Sequence, residues 1–356
     1  MRISVLWSKL ASYSVAFFRE LACSQKCDIQ LVFWGSSAEA PYKGFDLSFC
    51  SRTINRSERC DIDIEKEVCD FSPDCVLMSS WNFGDYMKIA RRLRKKGVFV
   101  VSTIDHQWHG TMKQWLGVVF SRWFLKPSID SFLVAGDRQA YFAQKLGFEH
   151  VLYGLYAATV EDFKTTRALL DREPSFLFVG RLTFEKGIEI LIAAYHMYRQ
   201  ECEFPWDLKI AGVGNLRYLL NDKPGVKELG FVQPADLPDL MRTARALVCP
   251  SIREPWGVVI HEGAAAGLPI IATNSCGATS SFVRDGINGI IVPPNPNALK
   301  NAMLRMSRFN ADELENLGQA SQTLARLWSS NKLAHYFVEN IKIRINHMGA
   351  ALLERP

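Results

Sequence analysis

Residues 245–272 read RALVCPSIREPWGVVIHEGAAAGLPIIA, and this stretch decides the fold class. RALVCP is an apolar run of strand length that stops at Pro250, the pattern of a buried strand. A short polar stretch, Ser251 to Glu254, follows. Pro255 stands where a first helical turn tolerates proline, so a helix is expected from Trp256 to Ala266, with LPIIAT as the next strand. Strand, loop, helix and strand in this order make one unit of a doubly wound α/β sheet. The helix N-terminus presents the backbone N–H groups of Gly257, Val258 and Val259, a ready anion site. Glu254 lies just outside that terminus, and Glu262 lies inside the helix.

A glutamate before a helix is often only a charge set favourably on the dipole. Glu262, however, falls between Ile260 and the small-residue run GAAAG, on a helix that reads as packed, and a carboxylate there needs a partner. An anion cradle flanked by two carboxylates suits a ligand with phosphate in one part and hydroxyls in others. A sugar nucleotide meets that description.

The residues EPWGVVIHEGAAAGLPII, with seven residues between the two glutamates, resemble the signature of retaining glycosyltransferases of family 4. These are the group 1 enzymes akin to glycogen synthase and phosphatidylinositol mannosyltransferase. The resemblance extends to FLFVGRLTFEKGIEILIAAY, LGFVQPADLPDLMRTA and GATSSFVRDGINGIIVPPNPNAL, and so spans most of residues 175–306. It implies the GT-B architecture, in which two Rossmann-like domains face each other across a cleft and a C-terminal helix crosses back to the N-terminal domain. On this reading the acceptor domain is 1–160 with 331–356, the linker is 161–174 and the donor domain is 175–330. The donor would be a UDP-, GDP- or ADP-sugar. Its diphosphate would meet Arg181, Lys186 and the amides of Gly257, Val258 and Val259, with Trp256 beside them. Glu262 would take the ribose hydroxyls, Glu254 the transferred sugar, and Phe231 and Val232 the base. No cofactor and no metal is expected.

At 356 residues, 48% hydrophobic and 22% charged, the chain has room for two domains with their own cores. No apolar run approaches the roughly 18 residues of a membrane span. The nine cysteines are scattered and never form C-x-x-C, which points to a reducing, cytoplasmic setting and away from zinc or disulfide scaffolds. The net charge of +5 is mild, yet from Lys88 to Lys126 nine basic residues face one acid, Asp105, with Trp and Phe interleaved. That mixture suits an anionic membrane surface at the inner face of the cytoplasmic membrane. Nucleic acid is not expected, because no nucleic-acid motif accompanies the charge.

In the N-terminal half, strand 2–7, a helix and strand 28–35 open the first sheet. The first loop, WSKLASYS, lacks the glycines usual in the resembled family; Ser12 and Tyr13 are candidate acceptor contacts. Asp61 and Asp63 form an Asp-x-Asp without strand-end context, so no metal is assigned to them. The loop IDHQWHGT after strand 98–103 lies where open α/β sheets bind ligands. There Asp105 and His106 are the candidate catalytic residues, with His109 a further acceptor contact. The acceptor is expected to be a glycan or lipid-linked molecule in cell-surface polysaccharide synthesis. Two other readings stay open: a nucleotide-sugar epimerase of similar fold, and an inactive membrane-associated partner that only binds a sugar nucleotide.

Overall fold

The computed structural model describes residues 1–34, 44–58 and 63–353, with side chains to residue 347. The chain forms two compact units, Met1–Ala157 with Ser330–Pro356, and Ala158–Ser329.

The first unit is built on seven strands: β1 (Arg2–Lys9), β2 (Asp28–Trp34), β3 (Arg52–Asn55), β4 (Cys75–Met78), β5 (Phe99–Ile104), β6 (Ser131–Val134) and β7 (Val151–Tyr153). Their order across the sheet is β3-β2-β1-β4-β5-β6-β7, and every pair is parallel. Parallel strands covered on both faces must be apolar on both. CVLM of β4 and FVVSTI of β5 are buried throughout. β1 runs two residues beyond the expected strand, and the helix Ser12–Cys23 begins three residues after it ends. The glycine-free first loop is therefore only Leu10 and Ala11. Ser14 Oγ accepts from the Ala11 amide at 3.0 Å and anchors the helix start without a glycine. The last helix, Ser330–Leu353, belongs to this unit. Phe337 on it meets Phe17 edge-on, ring centroids 5.8 Å apart.

The second unit carries β8 (Ser175–Val179), β9 (Asp207–Ala211), β10 (Val226–Gly230), β11 (Ala246–Cys249), β12 (Ile270–Thr273) and β13 (Gly289–Val292), in the order β10-β9-β8-β11-β12-β13 and again parallel. Residues 161–174, expected as a linker, are instead part of this unit. Arg242 Nη2 donates to the Lys164 carbonyl at 3.2 Å, and buried Arg172 donates to the Ala266 carbonyl at 3.1 Å. Carbonyls of Asp162, Lys164, Thr165, Leu170 and Arg172 accept from Arg242, Gln322 and Arg245 of the same unit.

His261 lies at the centre of this packing. Its Nδ1 accepts from the Ala158 amide at 2.9 Å, its Nε2 lies 3.1 Å from the Ala325 carbonyl, and its ring stacks on Phe282 at 4.1 Å. With Nδ1 accepting, Nε2 carries the proton and donates. Burial lowers its pKa to about 4, so it stays neutral and structural near pH 7.

In both sheets the strand order reverses once, between β1 and β4 and between β8 and β11. Loops on the two sides of a reversal leave in opposite directions and open a crevice at the carboxyl ends of the strands.

Candidate functional site

At the β8/β11 reversal, the loop after β8 runs through Arg181 and Lys186 to Gly187, and the loop after β11 runs from Pro250 to Gly257. Backbone hydrogen bonds lace them together, because the amides of Ile252 and Arg253 both donate to the Glu185 carbonyl, at 2.8 and 3.1 Å. Gly187, at φ +72°, makes the approach possible: a Cβ there would stand 2.1 Å from the Pro250 carbonyl oxygen. Gly212 and Gly214 play the same part against the other side of the β8 loop. Cβ atoms on them would lie 1.8 Å from the Gly180 oxygen and 2.3 Å from the Leu182 oxygen. What requires these glycines is backbone laid on backbone.

This lacing brings Lys186 and Glu254 into a direct ion pair, with side chains 22% and 9% exposed. Burial alone would lower the Lys186 pKa, but the adjacent Glu254 carboxylate holds the ammonium above its ordinary value. Below the loop, the thiols of Cys249 and Cys276 lie 3.4 Å apart.

The helix starts at Val258, two residues later than expected, and ends at Ala265. Its N-cap is Gly257 at φ +96°, a left-handed conformation that costs most other residues about 1–2 kcal/mol. Pro255 therefore lies in the loop, before the N-cap. The amides of Gly257, Val258 and Val259 fall at the N-cap and the first two helical positions, where no intrahelical partner exists. Trp256 is 2% exposed and packs edge-on against Phe282 at 6.0 Å, so its indole faces the core and only its backbone belongs to the loop surface. Glu262 lies on the first turns of the helix, and burial raises its pKa to about 7. Phe231 and Val232 follow directly on β10 and are half-buried.

The second cluster lies at the β1/β4 reversal of the first unit, around a cavity of about 290 Å³. Its wall takes Trp7 and Lys9 from the end of β1, Ser79 to Phe83 from the end of β4, and Thr103 to His106 from the end of β5. Asp105, His106 and Tyr13 line it as expected candidates, whereas Ser12 and His109 do not. Ser12 is the first helical residue, and the His109 amide is turned back onto Gln114 at 2.8 Å. The Asp105 carboxylate lies 3.4 Å from His106 Nδ1 and 3.5 Å from the Tyr156 hydroxyl. Burial holds the Tyr156 phenol well above its ordinary pKa, so it remains a proton donor. Tyr13 meets Tyr156 edge-on at 4.9 Å.

Tyr156 and the Ser79–Phe83 segment were not among the expected site residues. For the latter, the position of SSWNF after a buried strand was a usable signal. Tyr156 had none, since it lies beyond β7 in a stretch without a motif. Of the Asp-x-Asp, Asp61 lies outside the described residues. Asp63 caps the helix Ile64–Phe71, accepting from the Lys66 amide at 3.0 Å. Among the described residues, no three His, Cys, Asp or Glu side chains converge as a metal site.

Two doubly wound parallel sheets, each with its polar loops gathered at the reversal of strand order, define a GT-B fold. Residues 173–308, which lie within the second unit, match the family described as Glycosyl transferases group 1. An uncharacterised glycosyltransferase of Methanocaldococcus jannaschii is 32% identical over 53% of this chain and 50% of its own length. The alpha-D-kanosaminyltransferase of Streptomyces kanamyceticus is 34% identical over 35% of this chain and 34% of its own length. The chain thus spans about half or less of the curated relatives it matches. Among solved structures, Anabaena HepE in complex with UDP superposes with a TM-score of 0.74 at 15% identity, covering 96% of this chain and 100% of HepE. Sucrose-phosphate synthase of Thermosynechococcus elongatus gives 0.73 at 18% identity, over 98% and 100%.

Proposed function

We propose that this protein is a retaining hexosyltransferase that moves a sugar from a nucleotide-diphospho-sugar to a hydroxyl of a glycan or lipid-linked acceptor, without a metal, in cell-surface polysaccharide synthesis at the cytoplasmic membrane face. The observation that carries this reading is the convergence of Lys186, Glu254 and the Gly257–Val259 amides at the β8/β11 reversal, inside the stretch that matches Glycosyl transferases group 1.

The leaving group is a nucleoside diphosphate, so the chief catalytic demand is to stabilise negative charge on its oxygens. Arg181, Lys186 and the helix-terminal amides supply preorganised positive charge and donors for it. The C–O bond at the anomeric carbon breaks as the acceptor oxygen bonds to that carbon on the same face, and the hydroxyl proton passes to an oxygen of the departing diphosphate. Glu254 holds the transferred sugar, and once the diphosphate is present Lys186 is shared between it and Glu254. Phe231 and Val232 border the base. In the first unit, the aromatic and hydroxyl-lined cavity suits a sugar ring, and Asp105 with His106 orients the acceptor hydroxyl. Ser12 and His109 remain outside that cavity and are not assigned to the acceptor.

Glu262 accepts the ribose hydroxyls, and this gives binding a definite pH dependence. The carboxyl titrates near pH 7 in the unliganded protein because it is buried. Hydrogen bonds donated by the ribose stabilise its charged form and lower that pKa. Donor binding below pH 7 therefore expels a proton, and affinity falls as pH drops through 7. Calorimetry in buffers of differing ionisation enthalpy measures that proton directly. Glu262→Ala is expected to cost about 1–3 kcal/mol of donor affinity, to abolish the proton release and to leave the fold intact. Equal nucleotide affinity in the variant and the parent overturns the ribose assignment.

The reading as a whole is tested by thermal shift with UDP, GDP, ADP and their sugar conjugates, with and without EDTA. Because Anabaena HepE is described in complex with UDP, UDP heads the panel. A donor at about 100 times its Kd adds about 2.7 kcal/mol of stability. One base is expected to shift the transition, with EDTA making no difference. No shift with any nucleotide overturns the donor site, and a shift lost in EDTA overturns the metal-free mechanism.

A further inference from the structure

In the helix Met112–Phe124 of the first unit, Met112, Trp115, Leu116, Val119, Phe120, Trp123 and Phe124 fall at the i, i+3, i+4, i+7 spacing of one helical face. Such a stripe normally packs into a core. Here all seven are exposed, between 48% and 83%, and the buried residue of the helix is a serine, Ser121. The hydroxyl of Ser121 donates to the Leu146 carbonyl at 3.0 Å and Val118 packs on the core, so the side opposite the stripe meets the protein. Contiguous exposed apolar surface on this scale marks an interaction face.

The charges around it discriminate between occupants. No Asp or Glu occurs from His106 to Ile129, while Lys113, Arg122 and Lys126 flank the stripe and are exposed. A second copy of the same face would set these cations against their own kind. An anionic bilayer supplies the counter-charge together with an apolar interior for Trp and Phe. The basic run on the preceding helix contributes less than its sequence implies, because Arg92 pairs with Glu65 and Arg94 with Asp130.

We propose that the helix Met112–Phe124 lies in the plane of an anionic membrane with its aromatic stripe in the acyl boundary, and that this face anchors the protein to the bilayer. The helix begins seven residues after Asp105, which lines the cavity of the same unit. The anchoring therefore places the cavity near the headgroup layer, within the ~25 Å that seven residues can span. This inference deepens the membrane-face part of the reading above, and it is tested without donor or acceptor, so the two can fail separately.

The test is co-sedimentation with vesicles of equal phosphatidylglycerol and phosphatidylcholine, against phosphatidylcholine alone. The parent chain is expected to bind the anionic vesicles at least about 25-fold better. Lys113→Gln with Arg122→Gln is expected to weaken that binding about 25-fold, taking each cation as worth about 1 kcal/mol near the surface. Leu116→Glu with Phe120→Glu, both on exposed positions, is expected to remove it while the melting temperature is unchanged. Equal binding by the Glu pair and the parent overturns the proposal, as does failure of the parent to bind anionic vesicles. Sedimentation velocity decides between occupants: a concentration-dependent dimer that the Glu pair abolishes assigns the stripe to a second copy and also overturns it.

Discussion

Lys186→Ala is expected to lower turnover by about 10²–10³-fold, the cost of removing one preorganised donor from developing negative charge. It also costs stability, because Glu254 is 9% exposed and loses the ammonium that neutralises it. Breaking a buried pair from one side costs about 3–5 kcal/mol. With Lys186 still 22% exposed, about 2–4 kcal/mol is expected here. The two losses separate in the double variant Lys186→Ala/Glu254→Gln. Denaturant unfolding should show most of the stability restored, because no charge is left unpaired, while initial rates stay as low as in Lys186→Ala or fall further. Full turnover in Lys186→Ala would remove this lysine from the diphosphate site.

Gly187→Ala is expected to be strongly damaging to the second unit. Its φ of +72° costs an L-residue about 1–2 kcal/mol. The added Cβ, 2.1 Å from the Pro250 carbonyl oxygen, adds about 1–3 kcal/mol of overpacking strain. A loss of about 2–5 kcal/mol follows, and donor binding falls with it, since relieving the clash moves the β8 loop off the β11 loop and separates Lys186 from Glu254. Gly84→Ala is the control: nothing lies within 4 Å of its Cβ position and it begins a helix, so alanine is neutral or slightly stabilising there. Chemical denaturation of both variants checks the contrast. A Gly187→Ala protein as stable as the Gly84→Ala protein would show that the two loops are not held together as described.

Much of this was legible along the chain. The α/β class, the parallel sheets and the approximate strands follow from short apolar runs alternating with helical periodicity, a local property of sequence. The neighbourhood of Glu254 and Glu262 was legible too, because a strand, a polar loop and a helix start place it with no long-range information. The first turn of the helix was misplaced by two residues, since Pro255 fits a helical N-terminus as readily as the loop before one. The Trp and Phe between Lys88 and Lys126 were legible as suited to a membrane surface, but the sequence did not decide whether the Met112–Phe124 stripe is exposed. Its periodicity is that of a core-facing helix, and periodicity records that one face is apolar, not what covers it.

What residues 245–272 determined by themselves is a strand–loop–helix with helix-terminal amides between two carboxylates. Only the tertiary structure decided that Glu254 pairs with Lys186, that Trp256 faces the core, that Arg172 and His261 bind residues 158–174 into the second unit, and that Tyr156 closes onto Asp105. Each of these joins residues from separate strands or segments across a sheet reversal or a packed helix. Local propensity carries no record of which distant backbone will approach within hydrogen-bonding distance; the packing that brings the segments together decides it.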